Sequence, residues 1–138
     1  MISNIPTEVI DWSILNEIIS MDEDDPEFSK MLIRQYIEQV TTTFNDIGNE
    51  LDTTKDLNKL NSLGHFLKGS SATLGLQRIA WVCERIQNLG KKRSAGLDEG
   101  TVKDDQYYLD LIREALKEAK VEFILAKKEL HDYYKTDF

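Results

Sequence analysis

His65-Phe66-Leu67-Lys68-Gly69-Ser70-Ser71-Ala72 sits inside a helical repeat, and its reading decides the fold and the chemistry. Leu60, Leu63, Leu67, Ser71 and Leu74 recur at steps of three and four and make one stripe. At ~100° per residue, His65 points roughly 160° from the centre of that stripe, toward solvent. A core histidine is the competing reading, and the helical angle opposes it. Lys68 and Gly69 follow His65 by three and four residues, so both are its neighbours on the helix surface. Ala72 lies on the same side. The imidazole thus has a cation beside it and a stretch of small residues along its face, where another molecule can come close. Neutral imidazole is a nucleophile near neutral pH. This pattern suits a histidine that carries a phosphoryl group and presents it to a partner.

The same periodicity extends outward over the whole chain, and no alternating apolar run bounded by turn signals marks a strand. Both prolines precede residue 30, so nothing later breaks a helix. A short first helix is expected over about 12–21; it is more apolar than one side of a short helix needs. The acidic run Asp22-Glu23-Asp24-Asp25 reads as a solvated helix entry, with Asp25 as N-cap and Pro26 in the first turn of a second helix reaching about residue 51. Phe28, Leu32, Tyr36, Ile37, Val40, Phe44, Ile47 and Leu51 form its expected buried side. The histidine helix spans about 56–74 and ends at Gly75, a natural C-cap. A fourth helix over about 77–92 turns Ile79, Val82, Cys83, Ile86 and Leu89 inward and ends on Lys91-Lys92-Arg93, which complements its dipole. A polar loop, expected to be flexible, covers about 94–104. The last helix, about 105–134, carries Leu109, Ile112, Leu116, Ala119, Phe123, Ala126, Leu130 and Tyr133 at bundle spacing. Four long amphipathic helices joined by short turns imply an all-α, antiparallel four-helix bundle, one domain over 1–138, with an additional short N-terminal helix across one end.

Composition narrows the partners. The net charge of -8, from 25 acidic and 17 basic residues, argues against nucleic acid, whose phosphates attract basic surfaces. It favours a partner with a basic face. No stretch approaches the ~20 apolar residues of a membrane span, and the N-terminus lacks the pattern of a signal peptide. A location in the cytoplasm, with the nucleus open to so small a chain, is expected. Cys83 is the single cysteine, so no intrachain disulfide can form.

Other chemistries fit poorly. Two histidines and one cysteine lack ligand spacing for zinc. The acidic run lacks the glycine and closing glutamate of a calcium loop. No strand leads into a glycine-rich phosphate loop, so an autonomous kinase has no nucleotide site. Trp12 and Trp81 read as structural, and His131 as a dipole partner at a helix end. A helical adaptor in which His65 is incidental remains the rival; it has no need of lysine and glycine at those spacings.

The segment from His65 to Gly75 matches H-x-[LF]-K-G-[ST]-[SA]-x-x-x-G, and so resembles the histidine-containing phosphotransfer (HPt) family. Residues 12–21 and 77–90 extend the resemblance to the fungal osmosensing phosphorelay members from budding yeasts, which have a longer loop after the fourth helix. The resemblance implies a carrier, not an autonomous enzyme. It would accept a phosphoryl group on His65 from the receiver-domain aspartate of a hybrid sensor histidine kinase. It would then pass the group to receiver aspartates of response regulators. Lys68 becomes the nearby cation and Gly69 the room for the receiver. Gln87 becomes a glutamine beside the histidine, Lys91 an added positive charge one turn on, and Ser70 a motif residue roughly 140° from His65. No cofactor of its own is implied, magnesium being supplied at the receiver, and a monomer suffices. The surplus apolar surface then has a use: Ile14, Ile18, Met21, Leu32 and Phe66, with Ala72, are expected to form a docking patch beside His65.

Overall fold

Within residues 5–92 and 104–138, which the computed structural model describes, aspartates start three of the helices. Asp11 caps α1 (Trp12–Ile19), accepting the Ser13 amide at 3.1 Å. Asp56 caps α3 (Leu57–Thr73), accepting the Asn58 and Lys59 amides at 2.9 and 3.3 Å. Asp104 caps α5 (Asp105–Tyr134), accepting the Tyr107 amide at 3.0 Å. Each carboxylate satisfies N–H groups that a helix cannot pair internally. α2 (Phe28–Asp52) and α4 (Gln77–Gly90) complete the all-α architecture. Apart from Asp104, the expected loop over 94–104 lies outside the described residues, as does Arg93.

Cross-helix pairs fix the directions. Tyr36 meets Ser71 while Glu50 meets Lys59, so α2 and α3 run antiparallel. Arg78 pairs with Glu122, Arg85 with Glu118 and Lys92 with Asp105, which sets α4 against α5. Ser29 reaches Tyr134 while Arg113 reaches Asp52, closing α5 onto α2. The start of α2, the end of α3, the start of α4 and the end of α5 therefore share one end of the bundle, and α1 lies across it. Leu15 of α1 is buried there, and Ile18 and Ile19 pack partly against the core.

The structure corrects several local expectations. α1 stops at Ile19 and tightens into a 3-10 turn, Ser20–Glu23. α2 begins at Phe28, not at Asp25-Pro26. Its cap comes from further back: Asp22 accepts the Ser29 amide at 2.8 Å and the Ser29 hydroxyl at 2.6 Å. A carboxylate folded onto a buried serine outweighs the local proline signal. On α2, Ile33 is buried, as are Ser29, Thr43 and Glu50, whereas Phe28, Leu32 and Ile37 are only half-buried. The helix lies against both α3 and α5, so its covered face is set by two neighbours and not by one stripe. On α5, Tyr133 is 49% exposed and Phe123 half-buried, while Tyr108, Ala115 and Glu122 take core positions.

Two glycines hold the geometry that matters for the site. Gly75 has φ +81°, a left-handed conformation that favours glycine. Its amide bonds Ala72 C=O at 3.0 Å and the Leu76 amide bonds Ser71 C=O at 2.9 Å, a Schellman end to α3. The Gly75 carbonyl then accepts the Asp11 amide at 2.7 Å, tying α1 to the end of the histidine helix. At Gly64, a Cβ would lie 2.8 Å from the Gln87 backbone nitrogen and 3.0 Å from the Cys83 carbonyl oxygen. α3 and α4 approach this closely because no side chain stands between them.

Candidate functional site

His65 follows Gly64 on α3 and is exposed. Gly64 is buried, so the backbone is pressed onto α4 while the next side chain emerges beside that contact. Gly69 and Ala72, one and two turns along, are exposed on the same face. A Cβ at Gly69 would meet nothing within 4 Å, so this gap is open to a visiting molecule and is not required by the fold itself. Leu67 and Ser71 form the opposite, buried side, where Tyr36 and Ser71 share a hydrogen bond of 2.7 Å. Ser70 is half-buried and sits between the two faces.

α4 supplies the neighbouring groups. The Gly64 approach puts Gln87 directly across from the His65 turn. Gln87 Oε1 is buried and has no hydrogen-bond partner among the described residues. An orphaned amide oxygen is costly, on the order of 1–3 kcal/mol, and creates demand for a donor. Lys91 is exposed just past the helix, its amide accepted by the Gln87 carbonyl at 3.2 Å.

Lys68 has a partner on the neighbouring helix. Its ammonium lies 3.6 Å from Glu84 on α4, in a half-exposed ion pair. Sequence reasoning missed Glu84, because only the helix packing brings it opposite α3. The pair sets a negative charge against Lys68, the cation expected to balance a phosphoryl group on His65. Glu84→Gln should therefore favour the phosphorylated state. Because exposed pairs contribute only ~0.2–1 kcal/mol, the equilibrium constant for label on His65 should rise by roughly 1.4- to fivefold. Equilibrium transfer from a labelled receiver measures this; an unchanged share would show that Glu84 has no influence.

The apolar residues proposed for docking divide into two groups. Ile14, Met21 and Phe66 are 37%, 55% and 46% exposed. Ile14 abuts the end of the histidine helix, its Cβ 3.3 Å from where a Gly75 Cβ would stand. Ile18 and Leu32 are half-buried, and Ile18 packs partly against the core, so each offers only part of its surface. Met31, absent from the sequence-based set, is 45% exposed beside Leu32 in the chain. Ile33, two residues on, faces inward where the apolar spacing of α2 points to Leu32.

Burial pushes the Cys83 thiol up to about 12, which keeps it protonated and unreactive. Among the described residues, no three His, Cys, Asp or Glu side chains gather as a metal site, and no helix is long and apolar enough to cross a membrane.

Comparison with known proteins follows the same lines. Residues 31–122 match the Hpt domain family. The chain is 47% identical to the phosphorelay intermediate protein YPD1 of Saccharomyces cerevisiae, over 98% of this chain and 99% of that protein. It is 44% identical to the multistep phosphorelay regulator 1 of Schizosaccharomyces pombe, over 94% of this chain and 44% of that longer protein. Its structure superimposes with a TM-score of 0.91 on the S. cerevisiae histidine phosphotransfer signaling protein Ypd1, co-crystallised with the receiver domain of its downstream response regulator Ssk1. That match is 49% identical and covers 98% of this chain and 100% of the other.

Proposed function

This chain belongs to the Hpt domain family, and from that premise we propose that it is a phosphorelay carrier with His65 as its phosphoacceptor. It takes the phosphoryl group from the receiver aspartate of a hybrid sensor histidine kinase and delivers it to receiver aspartates of response regulators. The observation that carries this reading is an exposed imidazole beside the open space at Gly69, on the face of α3 opposite its buried side.

A lone pair on an imidazole nitrogen attacks phosphorus. The P–O bond to the aspartate breaks and its electrons return to the carboxylate. Onward transfer is the same exchange in reverse, the N–P bond breaking as a new P–O bond forms. Such transfer depends on positioning and electrostatics. Gly69 and Ala72 admit the receiver. Gln87 can accept a hydrogen bond from the ring N–H on the nitrogen that does not react, which would orient the imidazole and satisfy its own orphaned oxygen. Lys68 and Lys91 balance the added charge. Ser70 contributes through the helix and not by contact with the phosphoryl group. The chain needs no nucleotide and no metal of its own, the divalent ion belonging to the receiver, and it works as a monomer. We place it in the cytoplasm with access to the nucleus, and in an osmosensing pathway on its likeness to the yeast members.

The test is transfer of label from a phosphorylated receiver, in magnesium, to this protein. Docking is tested at Gly69 and Met21. Gly69→Ala should leave the fold intact or raise stability by about 0.5–1 kcal/mol, as alanine does in a helix interior. It should nonetheless slow transfer, because the methyl group enters the space of the partner. Met21→Glu should weaken receiver binding at least tenfold with an unchanged thermal midpoint. Equal affinity in a folded Met21→Glu variant would show that docking occurs elsewhere.

A further inference from the structure

We propose that Tyr133, Tyr134 and Phe138 form a positioning lock that holds α1 and its 3-10 turn in the orientation that offers Ile14 and Met21 to a receiver. The inference rests on the docking reading given above for those two residues.

α1 has eight residues, far short of the length at which a helix is stable alone, and within it only Leu15 is fully inserted in the core. The Asp11 amide ties its start to the Gly75 carbonyl, and Ile18 and Ile19 rest partly on the core. The segment after α5's last core residue adds two further sets of contacts that hold its angle. The Tyr133 ring packs on Trp12, the first residue of α1, with centroids 5.1 Å apart and planes at 40°. Tyr133 remains 49% exposed, so it acts as a cover over α1 and not as a core residue.

The second set runs through hydroxyl groups. Ser29 is fully buried at the start of α2 and donates its hydroxyl to Asp22 at 2.6 Å. Its oxygen is then the acceptor for the Tyr134 hydroxyl, 2.7 Å away. Asp22 lies in the 3-10 turn next to Met21, so the chain of bonds passes from α5 to the turn that carries the exposed methionine. Burial pushes the Tyr134 hydroxyl above its ordinary range, keeping the donor protonated. Phe138 packs edge-on against Tyr134 at 5.5 Å, and the Arg34 guanidinium stands over Phe138 at 5.7 Å. Both halves of the N-terminal cap, its first residue and its last turn, are therefore held by the same short segment. The residues of this segment lie on the end of the bundle and not beside His65. They can affect transfer only by placing the patch, which makes them positioning residues.

The experiment compares Tyr133→Ala/Tyr134→Phe, Tyr133→Phe and Met21→Glu in the full chain. Four quantities are read: affinity for a receiver domain, transfer rate at saturating receiver, lifetime of isolated phospho-His65, and hydrogen exchange of α1 amides. The double variant should bind the receiver at least fivefold more weakly and exchange α1 amides at least tenfold faster. Its saturated transfer rate and phospho-His65 lifetime should be unchanged. Tyr133→Phe keeps the ring and should match the native protein. Native affinity in the double variant, with binding still weakened by Met21→Glu, would overturn the lock and leave the docking reading intact. Native affinity in both would overturn the docking reading and the lock with it. A double variant in which affinity, lifetime and amide protection across all helices fall together would show a general loss of stability, and so would also overturn the lock.

Discussion

Replacing His65 with glutamine should abolish uptake of label from a phosphorylated receiver while leaving the protein folded. Glutamine keeps polarity and bulk but has no nucleophilic nitrogen at the required position. His65 is exposed and helical, and glutamine is a good helix former. Surface changes of this kind fall within about ±0.5 kcal/mol, so the thermal midpoint should move by no more than ~2 °C. Label on the native protein should be acid-labile and alkali-stable, as a phosphoramidate is. Receiver affinity should persist in the variant, since the docking residues are untouched. Retained binding with lost transfer also separates the carrier from the adaptor reading, in which the variant would be silent. Label that still reaches His65→Gln, with the same acid lability, would place the acceptor elsewhere and defeat the assignment.

Gly64→Val should have the second large effect, and for a different reason. A Cβ there would stand 2.8 Å from the Gln87 backbone nitrogen and 3.0 Å from both the Cys83 carbonyl oxygen and Ile86 Cγ2. Two of those three atoms are backbone, so relief requires moving α4 as a body. Overpacking of this kind costs about 1–3 kcal/mol. For a domain of this size that lowers the thermal midpoint by roughly 3–12 °C. The displacement would also carry Gln87 away from His65, so transfer should slow even at temperatures where the variant remains folded. Thermal melts and single-turnover transfer, measured together, check both parts. For the thermal midpoint alone, Gly69→Ala is the internal control, five residues along the same helix with open space in place of α4. A Gly64→Val protein with the native midpoint would mean that the α3–α4 contact is looser than the structure shows.

These two glycines illustrate what a single sequence reveals. Gly69 was legible: its distance of four from His65 places it on the same face by helix geometry alone. Gly64 was not, because its importance lies in residues nineteen or more positions away pressing against it. Glu84 was hidden for the same reason, and with it the actual partner of Lys68. Gln87 was accessible only through family resemblance; no spacing within α4 distinguishes it from its neighbours.

What the sequence determined by itself is local: helices repeating at 3.6 residues, Gly75 at an end, and a histidine turned away from its own apolar stripe. These follow from the angle between consecutive residues, which is a property of the chain. What tertiary structure decided is which neighbour each face meets. It moved the cap of α2 from Asp25 to Asp22, because a carboxylate bonded to a buried serine is worth more than a proline at an exposed turn. It buried Ile33 and left Met31 exposed, because α2 lies against two helices at once. It also bound the two ends of the sequence together at Trp12 and Tyr133, a contact between residues so far apart that no periodicity within either helix could encode it.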